Sequence, residues 1–248
     1  MAKKSTSKSK FIWTSLLITL VIILLLCGAC LVFLLDCYPA NSAEIYAFTT
    51  ENEIDYTVDG QYTVWAPQEA TVGLIFYPGA KVEHEAYLPL MEACADKGIL
   101  CVLVEMPLYF PLIDQNAADG IIEKYPQITD WYIGGHSLGG LTAAGYLKSH
   151  ANEFKGLILL ASYSNTDLSG TDLRALCVYG DHDQVMNRER YQEGLSLLPK
   201  DYQTVVISGG CHAYFGMYVG QDGEFANGIS NEEQIFETAE LICAFVSE

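Results

Sequence analysis

The sequence predicts an α/β domain, with a mostly parallel, twisted sheet and helices on both faces, preceded by one apolar N-terminal helix. Three observations carry this expectation. A charge-free run lies near the N-terminus, apolar strand-like runs alternate regularly with helix-like stretches after it, and a glycine-flanked serine stands where one strand turns into a helix.

The charge-free run spans residues 11–35, 25 in all. As a helix it would reach about 37 Å at ~1.5 Å per residue, enough to cross a bilayer. Lys3, Lys4, Lys8 and Lys10 precede it and Asp36 closes it. The positive-inside rule then makes residues 1–10 a cytoplasmic tail, residues 11–35 a transmembrane signal anchor in the cell membrane, and the rest extracytoplasmic. Two other readings stay open. The small residues around Ala40 and Ala43 would suit a cleaved signal peptide, and Gly28-Ala29-Cys30 resembles a lipoprotein cleavage box, although the apolar run continues for five residues past Cys30.

The 213 residues after the anchor suit a single core. They hold 31 acidic against 9 basic residues, a formal charge of −22, which argues against a nucleic-acid partner and implies a soluble, self-repelling surface. No obligate protein partner is inferred. Of the eight cysteines, Cys27 and Cys30 fall inside the apolar run and Cys37 at its edge. Cys101 and Cys177 sit in strand-like runs and Cys94 and Cys243 in helix-like ones, where a thiol behaves as a small hydrophobe. No metal-ligand spacing occurs beyond the anchor, and no G-x-G-x-x-G or phosphate loop is present, so neither a metal nor a cofactor is implied.

Residues 36–59 read as a polar, Glu-rich connector. Residues 60–248 form the α/β domain, opening with an edge strand at 61–66. Strand-like runs follow at 71–77, 99–105, 130–133, 156–161, 175–179 and 204–208. Helix-like stretches lie at 85–97, 117–125, 138–150 and 188–198, with a last helix at 231–246. Near-continuous apolar strands alternating with helices are the pattern of a parallel sheet buried on both faces. Only residues 162–174 separate the strand after the central helix from the next one. That is too short for a folded lid and predicts a shallowly covered site.

Residues 135–139 read Gly-His-Ser-Leu-Gly, between the strand-like Trp131-Tyr132-Ile133 and the helix-like 138–150. A serine on such a sharp turn needs near-naked neighbours, because its backbone is strained and its hydroxyl must stand clear of the sheet. Ser137 is therefore the candidate nucleophile. It needs a base and a carboxylate that fixes the tautomer of that base. Gly180-Asp181-His182-Asp183 follows one later strand and Gly209-Gly210-Cys211-His212-Ala213 another, in the chain order Ser, Asp, His. His212 is the candidate base and Asp183 the candidate acid, ahead of Asp181. His182 adjoins both acids too closely to bridge them to the serine, and His136, inside the elbow, is expected to point elsewhere. An oxyanion needs two donors. The backbone N–H groups of Leu138 and of Ala80 are expected to supply them; Gly79 is the alternative, since Pro78 carries no N–H.

Phe76-Tyr77-Pro78-Gly79-Ala80-Lys81-Val82, the elbow through Gly140, and Gly210-Cys211-His212-Ala213-Tyr214-Phe215-Gly216 together resemble the α/β-hydrolase superfamily, and within it the membrane-anchored bacterial "fold-5" branch. The resemblance covers about residues 60–246. It implies an α/β-hydrolase fold with a sheet of eight strands and a triad on Ser137, Asp183 and His212, but no substrate. Tyr109, Phe110 and Phe215 are expected to line an acyl pocket. The expected activity is a membrane-anchored serine carboxylesterase acting on a small-molecule acyl substrate, with small or exposed acyl groups. The alternatives are a non-catalytic binding domain on the same fold and an acyltransferase or thioesterase with the same triad.

Overall fold

The computed structural model describes residues 5–52, 55–221 and 228–248. The chain divides into two units, Met1–Asp36 and Cys37–Glu248. In the first, helix α1 (Ser5–Leu35) contains an apolar span, Lys10–Phe33, with a mean hydropathy of 3.2 and no burial against protein. It is long and apolar enough to cross a membrane.

The second unit is an eight-stranded sheet in the order β1-β2-β4-β3-β5-β6-β7-β8. β1 (Tyr56–Asp59) and β2 (Tyr62–Trp65) form an antiparallel hairpin, and β2 pairs antiparallel with β4 (Ile99–Val104). All remaining pairings, through β3 (Val72–Tyr77), β5 (Asp130–His136), β6 (Gly156–Leu160), β7 (Arg174–Gly180) and β8 (Asp201–Ile207), are parallel. The edge strands are thus β1 and β8. The run expected at the edge became β2, and β1 lies in the segment read as connector.

The central strands are apolar throughout because the sheet has two cores. On β3, Leu74 and Phe76 enter one, while Ile75 and Tyr77 enter the other. The first lies under α2 (Ser42–Asn52), α3 (Leu88–Ala95) and α7 (Asn231–Val246). The second lies under α5 (Leu138–His150) and α6 (Arg188–Leu195). Cys94, Cys101 and Cys177 are buried free thiols within these layers, and Cys211 is a buried free thiol outside them.

Two further expectations change. Residues 38–52 are folded onto the domain: Ile45 and Phe48 on α2 are buried, Phe48 stacks on Phe236 at 5.1 Å, and the Ala40 N–H donates to Glu83 at 2.9 Å. Among the described side chains of α2 the buried ones are Ile45 and Phe48, one i, i+3 pair inside a polar composition, and so the segment reads as connector. The helix expected at 117–125 is a single turn, α4 (Ile121–Lys124), because Gly120 adopts φ 77° immediately before it and forces a turn there. Between β6 and β7 no helix intervenes.

Candidate active site

The strand ends on the C-terminal side of the sheet carry the candidate residues, as expected where an open parallel sheet binds ligands. β5 runs to His136, α5 starts at Leu138, and Ser137 between them sits at φ 53°, ψ −121°. A non-glycine residue holds that conformation only where its surroundings leave no alternative. The surroundings here are tight backbone: a Cβ on Gly139 would run into the carbonyl oxygens of Tyr77 and Pro78, and one on Gly135 would come within 2.8 Å of the Gly140 nitrogen. The Ser137 N–H donates to the Leu160 carbonyl at 2.9 Å, and its own carbonyl accepts the Ser162 hydroxyl at 2.6 Å and the Leu141 N–H at 3.3 Å.

The acid side is assembled from separate loops. Asp183 follows β7, and its Oδ1 accepts the N–H groups of Val185 at 2.8 Å and Met186 at 2.9 Å. Its Oδ2 lies 2.8 Å from His212 Nδ1, with both side chains buried. Burial opposes ionisation of Asp183, but the hydrogen bond and charge of His212, with the two backbone donors, outweigh it and hold the carboxyl below its usual range. A carboxylate at Nδ1 puts the imidazole proton there, leaving Nε2 with its lone pair. Nε2 is buried without a partner among the described residues, and His212 and Ser137 line one cavity of about 170 Å³. Asp181 instead accepts the Gly209 N–H at 2.7 Å, so it shapes the histidine loop rather than touching the ring. His182 stands half-exposed, 3.9 Å from Asp181.

Around the expected oxyanion position, the Gly79 N–H is already bound to the Tyr87 hydroxyl at 3.0 Å. The Ala80 N–H has no acceptor among the described residues, and the Leu138 N–H, first in its helix, has no intrahelical one. The remaining cavity wall is Leu141, Ala161, Ser162, Tyr163, Val185, Met186 and Asn187. Tyr109, Phe110 and Phe215 do not line it. Phe215 is fully buried, turned inward by the short 3-10 turn Ala213–Phe215 to lie 5.7 Å from the His136 ring. Tyr109 sits at φ 56° and uses its carbonyl to hold the Lys81 N–H at 2.7 Å.

Matched against protein-family models, residues 73–236 fit the Alpha/beta hydrolase family. The chain belongs to this family. No curated protein matches it significantly. Among solved structures it is similar to Est1E from Butyrivibrio proteoclasticus, with 17% identity, a TM-score of 0.56, and coverage of 79% of this chain and 99% of that one. It is likewise similar to Est1E with ferulic acid bound, at 15% identity and a TM-score of 0.56 over 78% of this chain and 99% of that one. At such identities the likeness is one of fold.

Two residues of this hydrolase take part in the site in ways the sequence reading did not anticipate. Gln234, buried on α7, accepts the Cys211 N–H and donates to the Cys211 carbonyl, both at 2.9 Å, and so clamps the residue before His212. The buried His136 ring, expected to point away, lies 4.6 Å from the His212 ring. Gln234 sits in a helix far along the chain, and nothing in its local pattern marks it. His136 could have been flagged as a polar residue closing an apolar strand.

Proposed function

We propose that this protein is a membrane-anchored, extracytoplasmic serine carboxylesterase. The single observation that carries the reading is the buried 2.8 Å contact of Asp183 with His212 Nδ1, which leaves the Nε2 lone pair free on a residue that lines the same cavity as Ser137. In this reading the Ser137 hydroxyl attacks the acyl carbon as His212 Nε2 takes its proton. The oxyanion rests on the N–H groups of Leu138 and Ala80, each worth roughly 3 kcal/mol of transition-state stabilisation. The intermediate collapses as His212 returns the proton to the leaving alcohol. Water, deprotonated by the same nitrogen, then attacks the acyl-enzyme, releasing the acid and restoring Ser137.

The cavity wall combines the apolar Leu138, Leu141, Ala161, Val185 and Met186 and the Tyr163 ring with the polar Ser162 and Asn187, and its volume of about 170 Å³ suits a short acyl chain or one planar ring. Est1E, on a similar fold, is known with ferulic acid bound, which supports an aromatic acid as a candidate acyl group. The basic tail and apolar helix α1 support tethering with the domain outside.

The test is labelling of the full chain in detergent with a fluorophosphonate, beside turnover of short-chain and hydroxycinnamoyl esters. Labelling and turnover are expected in the native protein and absent from Ser137→Ala and His212→Ala. A folded native chain that neither labels nor turns over would instead favour the binding-domain reading. Transfer of the acyl group to an added alcohol in preference to water would make it an acyltransferase.

A further inference from the structure

The His136 side chain makes a connection that the esterase mechanism leaves unused. The Tyr87 hydroxyl accepts the Gly79 N–H at 3.0 Å and lies 2.8 Å from His136 Nδ1. A hydroxyl has a single proton and two lone pairs, so with one lone pair engaged by Gly79 it can give that proton to Nδ1. In that arrangement His136 is the neutral tautomer carrying its proton on Nε2. Among the described residues that nitrogen is buried with no partner in full hydrogen-bond geometry, and the ring sits 4.6 Å from His212, inclined at 55°. Tyr87 and His136 are both almost fully buried, and neither lines the cavity at Ser137.

We propose that Tyr87 and His136 are a pair of positioning residues that bind the Gly79-Ala80 loop and the His212 imidazole into one rigid unit. The clearances support this. A Cβ on Gly79 would come within 2.8 Å of His136 Nδ1 and 2.9 Å of the Tyr87 hydroxyl, so the loop lies directly on the pair. Holding the Gly79 N–H on Tyr87 removes it as a competing donor and leaves the neighbouring Ala80 N–H to face the reacting oxygen. On the other arm, His212 becomes an imidazolium during the reaction, and a second charged ring at 4.6 Å would oppose it. Burial and the neighbouring His212 hold His136 well below the ordinary histidine range, so the supporting ring stays uncharged.

The pair touches no reacting atom, so its loss is expected to lower kcat and leave KM nearly unchanged. This rests on the esterase reading, and the experiment separates the two. In the full-length protein, Tyr87→Phe keeps the ring and its packing but deletes the hydroxyl. Its kcat is expected to fall roughly 10- to 100-fold, the scale of a slight misplacement of reacting groups, with KM within about twofold. His136→Gln is expected to do the same. The double variant is expected to be no worse than either single one, because the two act as a unit. Ring 15N spectra supply a readout independent of turnover: His136 in the native protein is expected as the neutral Nε2–H tautomer, becoming a tautomer mixture in Tyr87→Phe.

Full kcat in a folded Tyr87→Phe protein overturns the proposal, as does a native spectrum showing His136 protonated on Nδ1. Additive losses in the double variant also overturn it. A native protein without any activity overturns the esterase reading and this proposal with it, whereas an active native protein with an active variant removes this proposal alone.

Discussion

The two sides of the active site are held by different physics. The nucleophile side is short-range: Ser137 is strained at φ 53°, and the backbone of its own elbow and of residues 77–78 packs so closely on Gly135 and Gly139 that no side chain fits there. The acid and base side is long-range. Asp183 follows β7, His212 follows β8, and Gln234 comes from α7, brought together by directed hydrogen bonds. A steric device tolerates loss of a single hydrogen bond. A device built of hydrogen bonds in a buried site does not, because each deleted partner strands another polar group. The elbow is therefore expected to be robust to polar substitutions and the opposite side fragile.

The largest effect is expected at Asp183→Asn. Oδ1 accepts two N–H groups, so an amide must place its oxygen there and turn its NH2 toward His212 Nδ1. The imidazole then has to accept at Nδ1 and carry its proton on Nε2, where it cannot take one from Ser137. A loss on the order of 10⁴-fold in kcat is expected, as for tautomer reversal in triads generally. The pair also contributes to stability. The Asp183 carboxyl is held below its ordinary 3.8, so the contribution is present above about pH 4 and is lost as pH falls through the depressed value. Urea midpoints of the native protein and of the Asp183→Asn variant should accordingly differ at about pH 6, and the gap should narrow as pH falls below the ordinary 3.8 and through the depressed value. A gap that does not narrow would mean that the carboxylate is not what the folded state stabilises.

This contrast also explains what was legible in the sequence. The elbow could be read directly because its requirements are met within one strand-turn-helix segment, where each glycine stands next to the strain it relieves. The parallel sheet was legible for a similar reason: apolar runs such as 99–104 must be buried on two faces. The helices 138–150 and 231–246 have the bounds their patterns suggest. Asp183 rather than Asp181 pairs with the histidine because of where the loops after β7 and β8 meet; both acids lie in the first of these loops, and the sequence favours Asp183 only in that it stands further beyond the strand end. Phe215 misled because adjacency to His212 in sequence says nothing of which way a short 3-10 turn faces. α2 was hidden because the contact of Phe48 with Phe236 joins residues far apart along the chain.

A smaller effect on the same fragile side is expected at Gln234→Leu. The shape is nearly kept, but the Cys211 N–H and carbonyl lose their buried partners. That costs roughly 2–3 kcal/mol of stability and, by loosening the residue before His212, about tenfold in kcat. Denaturant unfolding alongside steady-state kinetics measures both. If stability falls while kcat holds, the clamp serves the fold alone and the hydrogen-bonded side is less demanding than it looks.

The smallest effect is expected on the steric side, at Ser162→Ala. The hydroxyl donates to the Ser137 carbonyl at 2.6 Å, the shortest contact the elbow makes, and on distance alone its loss should be costly. The Ser137 carbonyl, however, still accepts the Leu141 N–H at 3.3 Å, and the deleted hydroxyl takes its own proton with it, so no buried donor is stranded. The packing around Gly139 that holds φ at Ser137 is untouched. About 1 kcal/mol of stability and a roughly two- to fivefold fall in kcat are therefore expected, the ordinary worth of one hydrogen bond. Fluorophosphonate labelling rates on the same variant isolate the nucleophile from the later water step. If Ser162→Ala slows labelling as severely as Gln234→Leu lowers kcat, then hydrogen bonding rather than steric exclusion holds the elbow, and the difference between the two sides disappears.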